Sequence, residues 1–544
     1  MSEYKLLLQP GARTLGFSAG LTISQALAAA GVARNNPCGG KGKCGKCRVL
    51  TQGGAPPTAA EQTALTPAEL AAGWRLACVS PAVDGMEVRL ADVSEQELRI
   101  LTDEGAGTAG AGWDRQAAGF RLGCDIGTTT VVIYLLHPES GAILHTVSAL
   151  NGQISFGGDV ISRIFAVCDD PGHLAELQAA VTGTLNRLIE RLEQETGVTP
   201  AQISELRVAG NTTMEHLLLA EDPRGMGKSP FTPAFLEHEA VTAGELGLEL
   251  PPDTPVTLIP NLSAFVGGDI TAGIYFTEMA ESDGLNLLLD IGTNNEMVLG
   301  DKNGLYACSA AAGPALEGAQ ISTGMRAAPG AVEKVWLDQD ELRLATINNA
   351  PPCGLCGSGL IDLLAVLVRA GVILPNGRFA AAEDLPAGGL RQRLRKGGKR
   401  HSEFVYCRAG ELGAAADLTL TQKDIREAQL AKSAIAVGID KLLERENVTL
   451  EQVEHVYLAG AFGNYIDQHN ACYLGILPQV AEEKIVTVHN SAGLGVCRSM
   501  YDPRSTAVMA RIGRLCRPLN LAAEEDFQQR FLTRLEFTKG GGSQ

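Results

Sequence analysis

The sequence predicts a multidomain chain: a small α+β domain, a flexible connection, and a larger two-lobed α/β domain. Three observations predict it. Four cysteines, Cys38, Cys44, Cys47 and Cys78, are gathered before Leu90. A Gly- and Ala-rich run, Gly105-Ala106-Gly107-Thr108-Ala109-Gly110-Ala111-Gly112, then interrupts the regular pattern. Beyond it one short motif occurs twice in matched strand contexts, at Asp125 and at Asp290.

The cysteines follow C-x5-C-x2-C, with a lone fourth at the end of Arg75-Leu76-Ala77-Cys78. Three closely spaced thiolates on one loop and a fourth on a separate segment suit a [2Fe–2S] cluster, much as plant-type ferredoxins use C-x4-C-x2-C…C. The intervening residues, Gly39 to Lys43 with Gly45 and Lys46, supply glycines for tight wrapping and lysines that partly offset the cluster's negative charge. Zinc is the competing chemistry for Cys44-x2-Cys47, but a zinc ribbon needs a second close pair and Cys78 stands alone. The small domain is therefore read as a carrier of single electrons.

Residues 1–91 make up that domain. Tyr4 to Leu8 and Thr14 to Phe17 flank Pro10-Gly11 as a hairpin. Thr22 to Ala30 reads as a helix ended by Gly31, and Cys47 to Leu50 and Met86 to Leu90 read as strands. A ββα unit followed by strands resembles the β-grasp fold of ferredoxins. Residues 92–119 read as a flexible linker. A stretch of about 15 flexible residues spans roughly 20 Å and reaches roughly 50 Å when extended, enough to carry a redox domain between donor and acceptor. An inert connection fits the same composition.

From Phe120 onward, strand-like runs (Val131 to Tyr134, Leu287 to Leu289, Val456 to Leu458) alternate with helical patterns near 173–195, 356–370, 422–446 and 505–515. The stretch is long for a single core. Two lobes are expected, 120–285 and 286–544, the second including a C-terminal segment.

A net charge of −17 argues against nucleic acid as a partner. No apolar run approaches membrane-span length, and the N-terminus enters a strand pattern rather than a signal peptide. Thirteen cysteines without a disulfide framework fit a reducing compartment, so a cytoplasmic location is expected. Cys124, Cys168, Cys308 and Cys472 sit in apolar or Gly-rich contexts and read as structural thiols.

The repeated motif carries the second chemistry. Leu122 to Val132 and Leu288 to Val298 each read as an apolar strand, Asp-Ile-Gly-Thr, a polar pair and another apolar strand. Gly127 and Gly292 let backbone amides approach a phosphate. Thr128, Thr129, Thr293 and Asn294 add donors, and Asp125 and Asp290 stand where Mg²⁺ could be held through waters. One such turn is often only a tight turn; two in matched contexts point to a duplicated nucleotide-binding hairpin. Late in the chain Val456 to Ala459 runs into Gly460-Ala461-Phe462-Gly463, a turn able to lie flat against an adenosine.

These motifs resemble the actin, sugar-kinase and Hsp70 ATPase superfamily. The resemblance implies duplicated RNase H-like cores, with the two hairpins on the phosphates and the late glycine turn on the adenosine. More narrowly, a C-x5-C-x2-C…C ferredoxin domain fused to such an ATPase resembles the reductive activators of corrinoid proteins. The stretches Val208 to Met214, Phe265 to Asp269, Ala312 to Gly318, Cys356 to Gly359 and Thr421 to Arg426 share that resemblance. Longer members carry a middle domain between linker and ATPase; Asp125 follows the linker almost at once, so that domain is expected to be absent.

Other residues admit two readings. Gln429, Lys432 and Ser433 share one helix face by spacing, either to touch adenosine or as a solvated stripe. Glu317 is a second acid for hydrolysis or a helix N-terminal charge. Asn211-Thr212-Thr213 is a third phosphate-facing turn or an N-cap. Cys353-x2-Cys356 reads as a Gly-rich turn opening a helix at Ser358, for no second pair lies near it. The nine histidines do not cluster, and neither a Walker A motif nor a Ser nucleophile elbow is present.

The expected function is an ATP-dependent electron transfer, with the [2Fe–2S] cluster, ATP and Mg²⁺ as cofactors. The resemblance implies a Co(II) corrinoid protein of a methyltransferase system as acceptor, a low-potential donor and a homodimer. A redox-gated small-molecule kinase, an ATP-controlled chaperone-like assembly factor and an activator of another low-potential enzyme are the rival readings.

Overall fold

The computed structural model describes residues 4–9, 12–30, 32, 40–43, 45, 47–90, 113–310, 313, 315–318, 321–396, 402–460 and 465–537. They divide into two units. The first holds the described residues through Asp269 and Val496–Asp502; the second holds Ile270–Gly495 and those from Pro503 onward.

The first unit opens with a five-stranded sheet. β1 (Tyr4–Gln9) and β2 (Arg13–Phe17) pair antiparallel, and Leu6, Leu8, Leu15 and Phe17 alternate into the core. The predicted turn at Pro10-Gly11 lies outside the described residues, as does Gly31. Helix α1 (Ile23–Ala29) starts at a capping box between Thr22 and Gln25. After β3 (Arg48–Gln52) come two short helices the sequence reading passed over, α2 (Ala59–Ala64) and α3 (Pro67–Ala71). Each is opened by a Thr-x-x-Glu box, Thr58 with Glu61 and Thr66 with Glu69, a signal that was there to be read. β4 (Trp74–Leu76) and β5 (Glu87–Leu90) complete the order β2-β1-β5-β3-β4, with β1 and β5 parallel. This is the expected β-grasp arrangement.

The second sheet of this unit contains β6 (Phe120–Ile126), β7 (Thr130–Leu136), β8 (Ile143–Leu150), β9 (Ile203–Gly210), β10 (Val241–Thr242) and β11 (Pro255–Leu258). Their order is β10-β11-β9-β6-β7-β8. β6, β7 and β8 form an antiparallel meander, and β9 runs parallel to β6, as β11 does to β9. The parallel crossover includes α4 (Val160–Asp169) and α5 (His173–Thr196). Helix α5 buries Leu177, Val181, Leu185, Leu188 and Leu192 at helical spacing against Cys124, Ile126 and Ile133 of the sheet. α6 (Thr212–Leu219) and α7 (Ala243–Leu246) follow.

The second unit repeats the plan. β12 (Asn286–Ile291), β13 (Asn295–Asp301) and β14 (Gly304–Ala310) form the meander. Two three-stranded sheets, not anticipated from sequence, are inserted: β15 (Ala331–Asp338), β16 (Glu341–Thr346) and β17 (Gly354–Leu355), then β18 (Leu394–Lys396), β19 (Ser402–Cys407) and β20 (Leu418–Thr421). β21 (His455–Ala459), β22 (Ile485–His489) and β23 (Cys516–Leu519) close the main sheet in the order β22-β21-β12-β13-β14-β23. β21 is parallel to β12 as β9 is to β6. The expected duplication of one core is thus present in five strands, β11-β9-β6-β7-β8 matching β22-β21-β12-β13-β14, while the sixth strand of each sheet, β10 or β23, sits at the opposite edge. The large core of this unit collects β12 and β13 with helix Gly357–Arg369 and the long helix Gln422–Glu446. Among the described residues no helix is long and apolar enough to cross a membrane.

Candidate functional site

In the small domain Cys47 and Cys78 converge: their sulfurs stand 3.1 Å apart, both buried. Cys38 and Cys44 lie outside the described residues. Gly42 has φ +66°, and a Cβ there would meet Ala60 Cβ and Val79 Cγ1 at 3.0 Å, so the glycine loop packs directly on the segment that carries Cys78. Two buried thiols from separate segments, one of them following a loop in which Gly42 leaves no room for a side chain, suit the cluster predicted. Sequence reasoning missed Glu61, which organises this segment. Fully buried, it accepts the Leu76 N–H at 2.8 Å, the Thr58 N–H at 2.7 Å and the Ser80 hydroxyl. Burial pushes its carboxyl up, but the Ser80 hydroxyl and the Thr58 and Leu76 amides outweigh that and hold it below the usual range.

The first Asp-Ile-Gly-Thr turn joins β6 to β7. Gly127 N–H donates to Thr130 O at 2.9 Å, and a Cβ on Gly127 would lie 2.8 Å from that oxygen. The turn is gripped from within. The Asn151 side-chain amide donates to Gly127 O at 2.9 Å, its backbone N–H to Thr129 O at 2.9 Å, and Arg163 to Thr128 O. Arg163 is fully buried and also donates to Gly157 O and Gln153 Oε1, each at 3.1 Å. Burial pushes its guanidinium down to about 9. Asn211 is the N-cap of its two readings: its Oδ1 accepts the Met214 N–H at 3.0 Å and caps α6, while its Nδ2 donates to Thr128 Oγ1 at 2.9 Å. Arg163, Asn151 and Gln153 were invisible in the sequence, because only the crossover brings them under the turn.

The second turn joins β12 to β13. Gly292 N–H donates to Asn294 O at 3.1 Å, and Thr293 Oγ1 donates to Glu317 Oε1 at 2.8 Å. Burial pushes the Asp290 carboxyl up to about 6. Gly460, at the end of β21, has φ +88°; a Cβ there would meet Asp290 Oδ1 at 2.6 Å and Ile291 O at 2.7 Å. The late glycine turn therefore starts against the second hairpin, while Ala461, Phe462 and Gly463 lie outside the described residues. The first core has the same feature: a Cβ on Gly210 would lie 3.0 Å from Ile126 O. Val208-Ala209-Gly210 and Leu458-Ala459-Gly460 are thus the same position in the two cores, a second internal repeat that sequence reading overlooked.

One expectation is corrected here. Gln429 and Lys432 are buried, and their donors are engaged by the C-terminal segment: Gln429 Nε2 to Leu535 O at 2.9 Å, Lys432 Nζ to Arg534 O at 2.7 Å and to Glu536 O. Ser433 Oγ likewise donates to Phe531 O. This face is packed rather than presented to an adenosine or to solvent. The Cys353–Cys356 stretch opens helix Gly357–Arg369, as expected; Cys356 is its N-cap, buried with its thiol donating to Val332 O at 3.2 Å, and Cys353 is exposed.

A cysteine-bearing β-grasp domain and a duplicated core with paired Asp-Ile-Gly-Thr hairpins define an iron–sulfur protein with an ATPase domain of the actin-like type. Family models agree with that division. The 2Fe-2S iron-sulfur cluster binding domain matches residues 8–83, the RACo middle region 120–282, and the C-terminal ASKHA domain of RACo 284–542. Over 418 residues the chain is 34% identical to the corrinoid activation enzyme RamQ of Eubacterium limosum, covering 77% of this chain and 70% of that one. It is 23% identical over 420 residues to the [Co(II) methylated amine-specific corrinoid protein] reductase of Methanosarcina barkeri, covering 71% and 70%. A solved reductive activator for corrinoid, iron-sulfur protein superposes with a TM-score of 0.71 at 33% identity, over 99% of each chain. The chain belongs to the RACo family of reductive activators of corrinoid proteins. The match over 120–282 overturns the expectation that the middle region is missing: what reads as the first ATPase lobe is that region.

Proposed function

We propose that this chain uses ATP to drive a single electron onto the Co(II) centre of a corrinoid protein of a methyltransferase system, returning it to Co(I). The observation that carries this reading is the pairing, in one chain, of converging buried cysteines with two phosphate hairpins, the second closed by Gly460. A [2Fe–2S] cluster held by Cys38, Cys44, Cys47 and Cys78 supplies one-electron chemistry, drawn from a low-potential donor. Glu61 fixes the strand and turn on either side of Cys78, and the glycine loop gives close backbone approach.

ATP is needed because Co(I) is a strong reductant and the transfer is uphill from an ordinary ferredoxin-type centre. For one electron each tenfold shift in equilibrium corresponds to about 59 mV, so differential binding of a few kcal/mol matters. Gly127, Thr128 and Thr129 present the first hairpin to the phosphates, and Gly292, Thr293 and Asn294 the second. Asp290, ionised at neutral pH yet half-buried, suits a Mg²⁺ held through waters or an attacking water, and Asp125 is its counterpart. The protein then acts in the cytoplasm.

The test mixes the pre-reduced, anaerobically purified chain with a Co(II) corrinoid protein and follows the visible spectrum, with and without Mg-ATP. ATP-dependent Co(I) that is lost on Cys78→Ala and on Asp290→Asn supports the reading. Absence of Co(I), with ATP consumed only when a hydroxylated metabolite is added, would replace it with a kinase.

A further inference from the structure

An arginine beside the second phosphate turn has a donor with nothing to donate to. Arg326 is partly buried, and its Nε is sealed from water without a hydrogen-bond partner. An unmet buried donor is costly, so a position that keeps one calls for a ligand to complete it.

The surroundings say which ligand. Glu317, whose Oε1 accepts the Thr293 hydroxyl at 2.8 Å, is followed by Gly318. Gly318 has φ +78°, and a Cβ there would lie 2.5 Å from Met325 O, so the backbones at 317–318 and 325–326 are pressed together. This apposition brings Arg326 under the influence of the Glu317 charge. On the other side, the missing Cβ of Gly292 would stand 3.7 Å from Glu317 Oε1. Gly292, Thr293, Glu317 and Arg326 therefore form one constellation at the turn. A guanidinium carries five donors in a planar fork that matches phosphate oxygens in pairs. The Glu317 charge nearby partly balances the guanidinium until a stronger anion arrives.

We propose that Arg326 is a phosphate-binding residue of the second hairpin, engaging the polyphosphate of a nucleoside triphosphate when it binds beside Thr293. This rests on the nucleotide reading above and adds to it a residue that no motif marked. Glu317 is then a positioning residue: it acts through Thr293.

The test is calorimetric titration of the full chain with Mg-ATP, alongside thermal unfolding without nucleotide, for wild type, Arg326→Gln, Arg326→Lys and Glu317→Gln. We expect Arg326→Gln to weaken ATP at least tenfold while the unliganded melting temperature stays within a few degrees, and Arg326→Lys to remain at least tenfold weak because it lacks the fork. Wild-type affinity in Arg326→Gln, or in Arg326→Lys if the glutamine variant does not fold, overturns the proposal. A wild-type chain that does not bind ATP at all would overturn the nucleotide reading itself, a distinct outcome.

Discussion

Gly460 occupies a point where any side chain would collide with Asp290: a Cβ there would sit 2.6 Å from the carboxylate oxygen, and the residue's φ of +88° is itself reserved for glycine. The end of one strand and the acid of its neighbour are thereby locked into one turn. Gly460→Ala should cost about 1–3 kcal/mol in the second unit and weaken ATP binding at least tenfold. Unfolding by urea and calorimetric titration measure the two effects. Unchanged ATP affinity would separate this turn from the nucleotide.

Asp290 sets a pH dependence. Its carboxyl is raised from 3.8 to about 6, so between those values the folded protein keeps a proton the unfolded chain releases. The stability from this group is full below about pH 4 and is lost as pH rises through about 6, on the order of 1–3 kcal/mol in total. In chelator-treated buffer, Asp290→Asn should flatten the stability profile between pH 4.5 and 7.5 and melt above wild type at pH 7.5. An identical slope in the variant would assign it to another group.

Arg163 braces the first hairpin from beneath by donating to Thr128 O, Gly157 O and Gln153 Oε1. Arg163→Met keeps the length and removes every donor, leaving buried acceptors unmet; the expected loss is about 2–4 kcal/mol. Hydrogen exchange should accelerate first at residues 127–131. Protection equal to wild type there would show that the turn stands without its brace.

The cluster assignment makes a stoichiometric prediction. Cys47→Ser and Cys78→Ser should lose most of about two irons per chain and the visible charge-transfer absorption, whereas Cys353→Ser should retain both. Glu61→Ala should also lower iron content, because Leu76 N–H and the Ser80 hydroxyl flank Cys78 and lose their acceptor. Full iron in Cys78→Ser would require a different fourth ligand.

Lys432 is buried and donates to the carbonyls of Arg534 and Glu536. Lys432→Met should release the C-terminal segment, seen as faster limited proteolysis within 527–537, and leave ATP affinity within twofold. A large loss of ATP affinity would return this helix face to the nucleotide site.

What the sequence made legible follows from where the information lies. The two hairpins were readable because glycine and threonine in a tight turn carry their chemistry locally, and the repetition at Asp125 and Asp290 ruled out chance. The β-grasp domain was readable for the same reason, from strand-like runs on either side of Pro10-Gly11 and a helical run from Thr22 to Ala30. Gln429 and Lys432 were misplaced because helical spacing says which side chains share a face, not what covers that face. The cover here, Phe531 to Glu536, comes from far along the chain. Arg163 and Asn151 belong to the same class: their partners at 127–129 are assembled only once β7, β8 and α4 have folded back. Gly210 and Gly460 differ from these, for the Ala-Gly pair at the ends of β9 and β21 is a local repeat present in the sequence itself.

Strand β23 has a consequence for how copies of this protein can meet. It is the outermost strand of the second unit's main sheet, paired on one side to β14, with Pro518 opposite Ala307. An open sheet edge is a template for any stray strand, and growth along it has no natural end. Proline has no N–H to offer a newcomer, and Arg517 beside it brings charge to the rim. The sheet thus ends in a strand that resists extension, which turns an adhesive border into a passive one.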